Sequence, residues 1–287
     1  MDLHQSSSVL HTADMRRRTN AAATFVGSRC TRAPLPSFVD RRPPPTSPPG
    51  GSPMIRLATL DMAGTTVDDG HHVYRVLAES VTREGASITD AQLQEWMGTE
   101  KRDAITNLLR IGGVETDEAQ VEAAFTWFLA ELERAYRQAP PTPLPGVVDG
   151  IAALRARGIK VVLTTGFTRS IAYPILAAMG WTTGDDESAT IDGIVCADEV
   201  RRGRPAPYMI FRAMELAGVE SVEQTSATGD TVADVEAGRN AGVLAIAVTS
   251  GKLPATAFDG VDVDHVIPGV ADLLDLPEFA GVPAFAG

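Results

Sequence analysis

From Met54 onward, apolar residues recur in two alternating rhythms. Short continuous apolar runs at 55–60, 159–163, 225–228 and 243–248 have the length and β-branched content of strands buried on both faces. Between and after them, apolar positions fall three and four apart, which predicts helices over 147–157, 169–179, 207–217 and 232–241. Gly158, Gly180, Gly218 and Gly242 follow these stretches, at the position where a left-handed residue ends a helix. Such alternation predicts an α/β fold with a doubly wound, Rossmann-like parallel sheet.

The segment 70–143 breaks the alternation. It contains no persuasive strand, and amphipathic patterns at 72–83, 90–97, 99–110 and 117–138 predict four helices. The turn-rich stretch from Pro140 to Gly146 then returns the chain to the sheet. The expected organisation is an α/β core of 54–69 plus 144–287, with a helical cap domain, 70–143, inserted after the first strand. Hinges are expected at 67–70 and 140–146. Residues 1–53 are different again: Ser-rich, then Arg-rich, then dense in proline, with seven Arg and three Asp. This composition predicts disorder, and Arg16-Arg17-Arg18 has no convincing cleavage site after it. Met54 stands at the edge of the first strand, so an upstream extension from a misassigned start is one reading of the tail.

Composition narrows the function. The formal charge of −12 is concentrated after the tail, which argues against nonspecific nucleic-acid binding and fits a small-molecule enzyme. Cys30 and Cys196 are too few for a disulfide framework and lack metal-ligand spacing, so a cytoplasmic protein is expected. No apolar run reaches the roughly 18 residues of a membrane helix, so no membrane partner is expected.

The polar residues that break the pattern collect at strand ends, where open α/β sheets place their ligands. Asp61 ends the first strand in Asp61-Met62-Ala63-Gly64-Thr65-Thr66, and Gly64 permits a tight turn against an anion. Thr164-Thr165-Gly166 follows the second predicted strand and offers a hydroxyl and amides. Arg204 precedes a helix, and Gly229-Asp230-Thr231-Val232-Ala233-Asp234 joins a strand to a helix. Taken singly, these are a turn residue, a turn, a surface ion pair and a helix cap. A fifth feature is compositional: only three of the 25 basic residues are lysines. One of them, Lys101, sits in Met97-Gly98-Thr99-Glu100-Lys101 within the insertion. A primary amine kept in an Arg-biased chain suggests carbonyl chemistry, because a guanidinium does not lose its proton to form an imine.

In this order, the four strand-end segments resemble the haloacid dehalogenase superfamily. The resemblance implies that Asp61 attacks an electrophile, usually phosphorus, and that Asp61, the Ala63 backbone oxygen, Asp230 and Asp234 bind or support Mg²⁺. It also implies that Gly64, Thr65, Thr165, Gly166 and Arg204 hold the phosphoryl group. Formal charges agree: three carboxylates, one Mg²⁺ and one Arg sum to zero, leaving room for a dianion.

Ala63 departs from the usual pattern, in which a second Asp protonates an ester leaving group. Asp-x-Ala-Gly-Thr together with Met-Gly-x-x-Lys resembles the phosphonatase family, in which the cap lysine forms an imine with an aldehyde and makes the departing carbon a stable leaving group. If Thr99 caps the helix, Lys101 lies in its first turn, where the dipole disfavours ammonium. Ala104, His71 and Phe167 replace the family's histidine, cysteine and tyrosine, which favours a relative acting on a different 2-oxoalkylphosphonate. The resemblance further implies a homodimer joined through the cap. Three readings stay open: a Mg²⁺-dependent C–P hydrolase using Asp61 and Lys101, a small-metabolite phosphatase in which Lys101 merely binds substrate, and a noncatalytic protein on the same scaffold.

Overall fold

A computed structural model describes residues 54–280; the sequence-predicted tail lies outside them. Six parallel strands form the central sheet in the order β5-β4-β1-β6-β7-β8: β1 (Leu57–Asp61), β4 (Lys160–Thr165), β5 (Gly193–Cys196), β6 (Thr225–Gly229), β7 (Leu244–Val248) and β8 (His265–Ile267). All five residues of β1 are buried, as a central parallel strand covered on both faces requires. Along β4 the alternation is visible: Val161 and Leu163 join one apolar cluster, and Val162 joins the other. α5 (Val147–Ala156) and α6 (Arg169–Ala178) contribute to the first cluster through Ile151, Leu154 and Ile175. α7 (Tyr208–Ala217) and α8 (Val232–Ala241) contribute to the second through Met209, Ile210, Ala213 and Ala237. Gly158, Gly180, Gly218 and Gly242 all have φ between 64° and 76°, the left-handed termination read from the sequence.

Two strands of the sheet escaped the sequence reading. β5, although buried over Ile194 to Cys196, has only four residues after a polar loop, and β8 is a three-residue edge strand whose central Val266 is 40% exposed, so neither run is long enough to carry a period in the sequence. The insertion likewise ends in a strand that was not expected. β2 (Val67–Asp68) pairs antiparallel with β3 (Thr142–Pro143), and Leu144 N–H donates to Thr66 O at 3.1 Å. The two chain crossings into and out of the insertion are therefore tied to each other. Two residues per strand are too few to leave a period in the sequence.

Between these crossings lie α1 (His72–Arg83), α2 (Asp90–Glu95), α3 (Lys101–Ile111) and α4 (Glu118–Gln138). α1 packs on α4 through a core that includes Val76, Leu77, Phe125, Phe128 and Leu132. Asp69, buried at the entry, caps α1: its carboxylate accepts from His71 N–H at 3.1 Å and Val73 N–H at 2.9 Å. It also accepts from the Tyr136 hydroxyl of α4 at 3.2 Å, which ties both ends of the insertion to one carboxylate. Among the described residues, no helix is long and apolar enough to cross a membrane.

Candidate active site

The parallel register brings the strand-end residues together. Asp61 of β1 stands beside Thr164 of β4, and Leu60 stands beside Thr228 of β6, so Asp61, Thr165 and Asp230 emerge along one edge of the sheet. Asp61, Lys101, Arg204, Asp230 and Asp234 are each no more than 7% exposed. Carboxylate oxygens of Asp61, Asp230 and Asp234 lie within 4.8 Å of one another. All but Asp234 line a single cleft, which Ala63, Gly64, Thr165, Gly166 and Phe167 also border.

Arg204 is the compensating charge. Its Nη1 donates to Asp61 Oδ1 at 2.7 Å, and its Nη2 donates at 2.8 Å to both Thr164 O and Thr164 Oγ1. Its Nε lies 2.9 Å from Asp234 Oδ1, an ion pair that falls short of a directed hydrogen bond and leaves that oxygen otherwise unpartnered. The surface ion pair available from sequence is thus replaced by a buried fork, a geometry that lysine does not supply. The sequence does not pair Thr164 with Arg204; a hydroxyl on a fully buried strand end is the signal that could find it.

Asp234 and Asp230 do different things. Asp234 is the third residue of a capping box: its Oδ2 accepts from Thr231 N–H at 3.0 Å and from the Thr231 hydroxyl at 2.5 Å. Capping does not account for Asp230. Its carboxylate accepts a long 3.3 Å bond from the Thr65 hydroxyl and is wedged against two glycines. A Cβ at Gly64 would fall 2.4 Å from Asp230 Oδ2, and one at Gly251 would fall 2.0 Å away. Gly64, at φ 88°, is also required by its turn. Its N–H donates to Val67 O, so it shapes the cleft and does not offer that amide to it. Thr65 lies behind the cleft wall, supporting Asp230. Thr165 Oγ1 accepts from Phe167 N–H at 3.1 Å, and its hydroxyl proton has no acceptor among the described residues. Thr66, unremarked in the sequence, donates to Asp61 O at 2.8 Å and fixes the strand end.

This concentration of charge perturbs the titrations. Burial, together with Asp234, pushes Asp61 up to about 6 even with Arg204 opposing. Burial and the charges of Asp61 and Asp234 hold Asp230 well above the usual carboxylate range. Three buried carboxylates against one guanidinium, with Asp234 Oδ1 lacking a directed hydrogen bond, form a hard-oxygen donor set that fits a divalent cation such as Mg²⁺.

Lys101 reaches the same cleft from the insertion. It is the first residue of α3, but the cap is Glu100, whose carboxylate accepts from Arg102 N–H at 3.0 Å and Asp103 N–H at 2.8 Å. Thr99, the expected cap, donates its hydroxyl to Trp96 O. The Lys101 ammonium donates to Thr99 O at 2.9 Å. A solvated lysine is excluded, since Lys101 is only 4% exposed. Burial brings its amine down to about 8, with Arg204 acting in the same direction and Asp61 and Glu100 opposing. Around the mouth stand residues not predicted from sequence: Tyr74, Ser250, Gly251 and Lys252, whose ammonium lies 4.6 Å from the Tyr74 ring centroid. Of the departures noted above, His71 and Phe167 border the cleft, whereas Ala104 does not.

The sheet order, the strand-end carboxylates and the buried Arg belong to one class of hydrolase, and a profile for haloacid dehalogenase-like hydrolases matches residues 55–242. The chain belongs to that family. Within it, the sequence is 33% identical over 211 residues to a phosphonoacetaldehyde hydrolase of Parabacteroides distasonis, covering 67% of this chain and 75% of the relative. It is 34% identical over 226 residues to a phosphonoacetaldehyde hydrolase of Bacillus cereus, covering 74% and 83%. The crystal structure of a phosphonoacetaldehyde hydrolase-like protein from Oleispira antarctica superposes with a TM-score of 0.66 at 26% identity, over 78% of this chain and 91% of that one.

Proposed function

We propose that this protein is a Mg²⁺-dependent hydrolase that cleaves the C–P bond of phosphonoacetaldehyde or a related 2-oxoalkylphosphonate. The observation that carries the proposal is a buried lysine with its amine brought down to about 8, lining the same cleft as the strand-end Asp61. An amine near 8 is available as the free base at neutral pH about a hundred times more often than one near 10, and the free base attacks a carbonyl.

The residues divide the chemistry as follows. Neutral Lys101 adds to the substrate carbonyl, and with uptake of one proton from solvent, water leaves to give a protonated imine; that proton is returned when the neutral amine is released. The Asp61 carboxylate attacks phosphorus, and the C–P electron pair moves into the iminium to leave an enamine. Water releases phosphate from the aspartyl phosphate. The enamine takes a proton on carbon, and a second water returns the carbonyl product and free Lys101. Arg204 balances the charge of the transferring group, while the Thr165 hydroxyl and the Gly166 amide donate to its oxygens. Asp61, Ala63 O and Asp230 would hold Mg²⁺ with Asp234 supporting, and the ion would supply charge neutralisation at the phosphoryl oxygens. The helices of 70–143 act as the cap that keeps water from the imine.

Ala63 argues against an ester phosphatase, since a methyl group cannot protonate an alkoxide; an imine makes that acid unnecessary. The test is borohydride trapping with phosphonoacetaldehyde and Mg²⁺. Reduction should add the mass of the aldehyde-derived fragment to the Lys101 peptide, and Asp61→Asn should stop phosphate release. An enzyme that frees phosphate from ordinary esters and never from a carbonyl phosphonate would refute the proposal.

A further inference from the structure

The loop that carries Lys101 lies against the sheet core at backbone distance, and three glycines make this approach possible. A Cβ at Gly166 would fall 2.6 Å from Thr99 O, and one at Gly98 would fall 2.3 Å from Thr231 Oγ1. At Gly203 it would fall 3.1 Å from Glu100 Cβ and 3.4 Å from Glu100 N. Arg204, next to Gly203, also reaches across, with Nη1 3.4 Å from Gly98 O. The first turn of α3 is therefore positioned by core loops on several sides, and not by the insertion alone.

Gly203 differs from the other two. Gly98 and Gly166 line the cleft, and Gly98 needs its φ of 77°, whereas Gly203 is outside the lining and has a φ open to any residue. It is buried in a turn in which its carbonyl accepts from Ala206 N–H at 3.0 Å. Its lack of a side chain thus serves neither substrate contact nor a left-handed backbone. What it allows is contact with Glu100, the residue before the reactive lysine.

We propose that Gly203 is a positioning residue: it seats Glu100 and the start of α3 against the core, and so places the Lys101 amine relative to Asp61. The inference rests on the reading of Lys101 as the imine-forming group. Adding one methyl at Gly203 must move Glu100 by a few tenths of an ångström, and displacement on that scale of a group that must meet a carbon already held by its phosphorus lowers the rate by roughly tenfold. The atom in the way is Glu100 Cβ, which Glu100→Gly removes while leaving an acceptable helix cap.

The experiment measures borohydride trapping of Lys101 by phosphonoacetaldehyde, in the full chain with Mg²⁺, for wild type, Gly203→Ala, Glu100→Gly and the double variant, with thermal melts alongside. Gly203→Ala should trap roughly tenfold more slowly with kcat falling in step, Glu100→Gly should stay within about threefold of wild type, and the double variant should recover to about that level. Trapping at the wild-type rate in folded Gly203→Ala overturns the proposal, and so does a loss that Glu100→Gly does not restore. Should Gly203→Ala alone fail to fold, the double variant decides: folded and trapping supports the seat, while unfolded or silent overturns it. A wild-type protein that forms no adduct at Lys101 overturns the imine reading itself, and this inference with it.

Discussion

Replacing Lys101 by Met should stabilise the metal-free protein while abolishing the proposed C–P cleavage. The amine falls from 10.5 to about 8 on folding, so keeping an ammonium in the cleft at neutral pH costs about 3 kcal/mol. Methionine has similar length and no charge; what it loses is the 2.9 Å hydrogen bond to Thr99 O, worth about 1 kcal/mol. The net gain at pH 7 is about 2 kcal/mol, or roughly 4–8 °C in Tm for a domain of this size. Its pH dependence has a fixed sign. Between about 8 and 10.5 the folded state has released the proton that the unfolded chain still binds, so wild-type stability rises with pH across that window. The variant lacks this rise, so its advantage is fully present below about 8 and gone near 10.5. Urea denaturation of both proteins in EDTA from pH 7 to 10.5, at matched ionic strength, measures it. A variant no more stable than wild type at pH 7, or an advantage independent of pH, would refute the claim that burial controls this amine.

Three further outcomes follow from the same site. The rate of borohydride trapping should rise about tenfold per pH unit below about 8 and level off above it, because only the free amine attacks; trapping that is flat from pH 6 to 9 would contradict the titration. Asp230→Asn removes a carboxylate whose negative charge is disfavoured by burial and by its Asp61 and Asp234 neighbours, so the metal-free variant should melt above wild type at neutral pH, while Mg²⁺ raises the Tm of wild type and not of the variant. Arg204→Lys keeps one positive charge but not the fork joining Asp61, Asp234 and Thr164, and should lower stability by about 2 kcal/mol by denaturant titration, with a fall in kcat of about 10²-fold.

Local chemistry makes much of this protein legible in its sequence. Buried runs such as 55–60 and the helices 72–83 and 232–241 emerge where their periods predict, because one amphipathic face or one fully apolar strand suffices to specify them. Asp61, Thr165 and Asp230 could be grouped because strand ends of a parallel sheet share one edge. β5, β8 and the β2–β3 ribbon were not legible: four, three and two residues carry too little pattern, and only their partners make them strands.

What tertiary structure alone decided is the environment of each charge. Sequence placed Lys101 near a helix start, but it is burial in the folded cleft that brings the amine to about 8. Sequence likewise offered Arg204 as a cation, while the fold gave it Asp61, Asp234 and Thr164 at once. A residue type sets which protons and donors exist. Desolvation and neighbouring charge depend on what lies within a few ångströms, and here those neighbours come from segments up to more than a hundred positions apart along the chain.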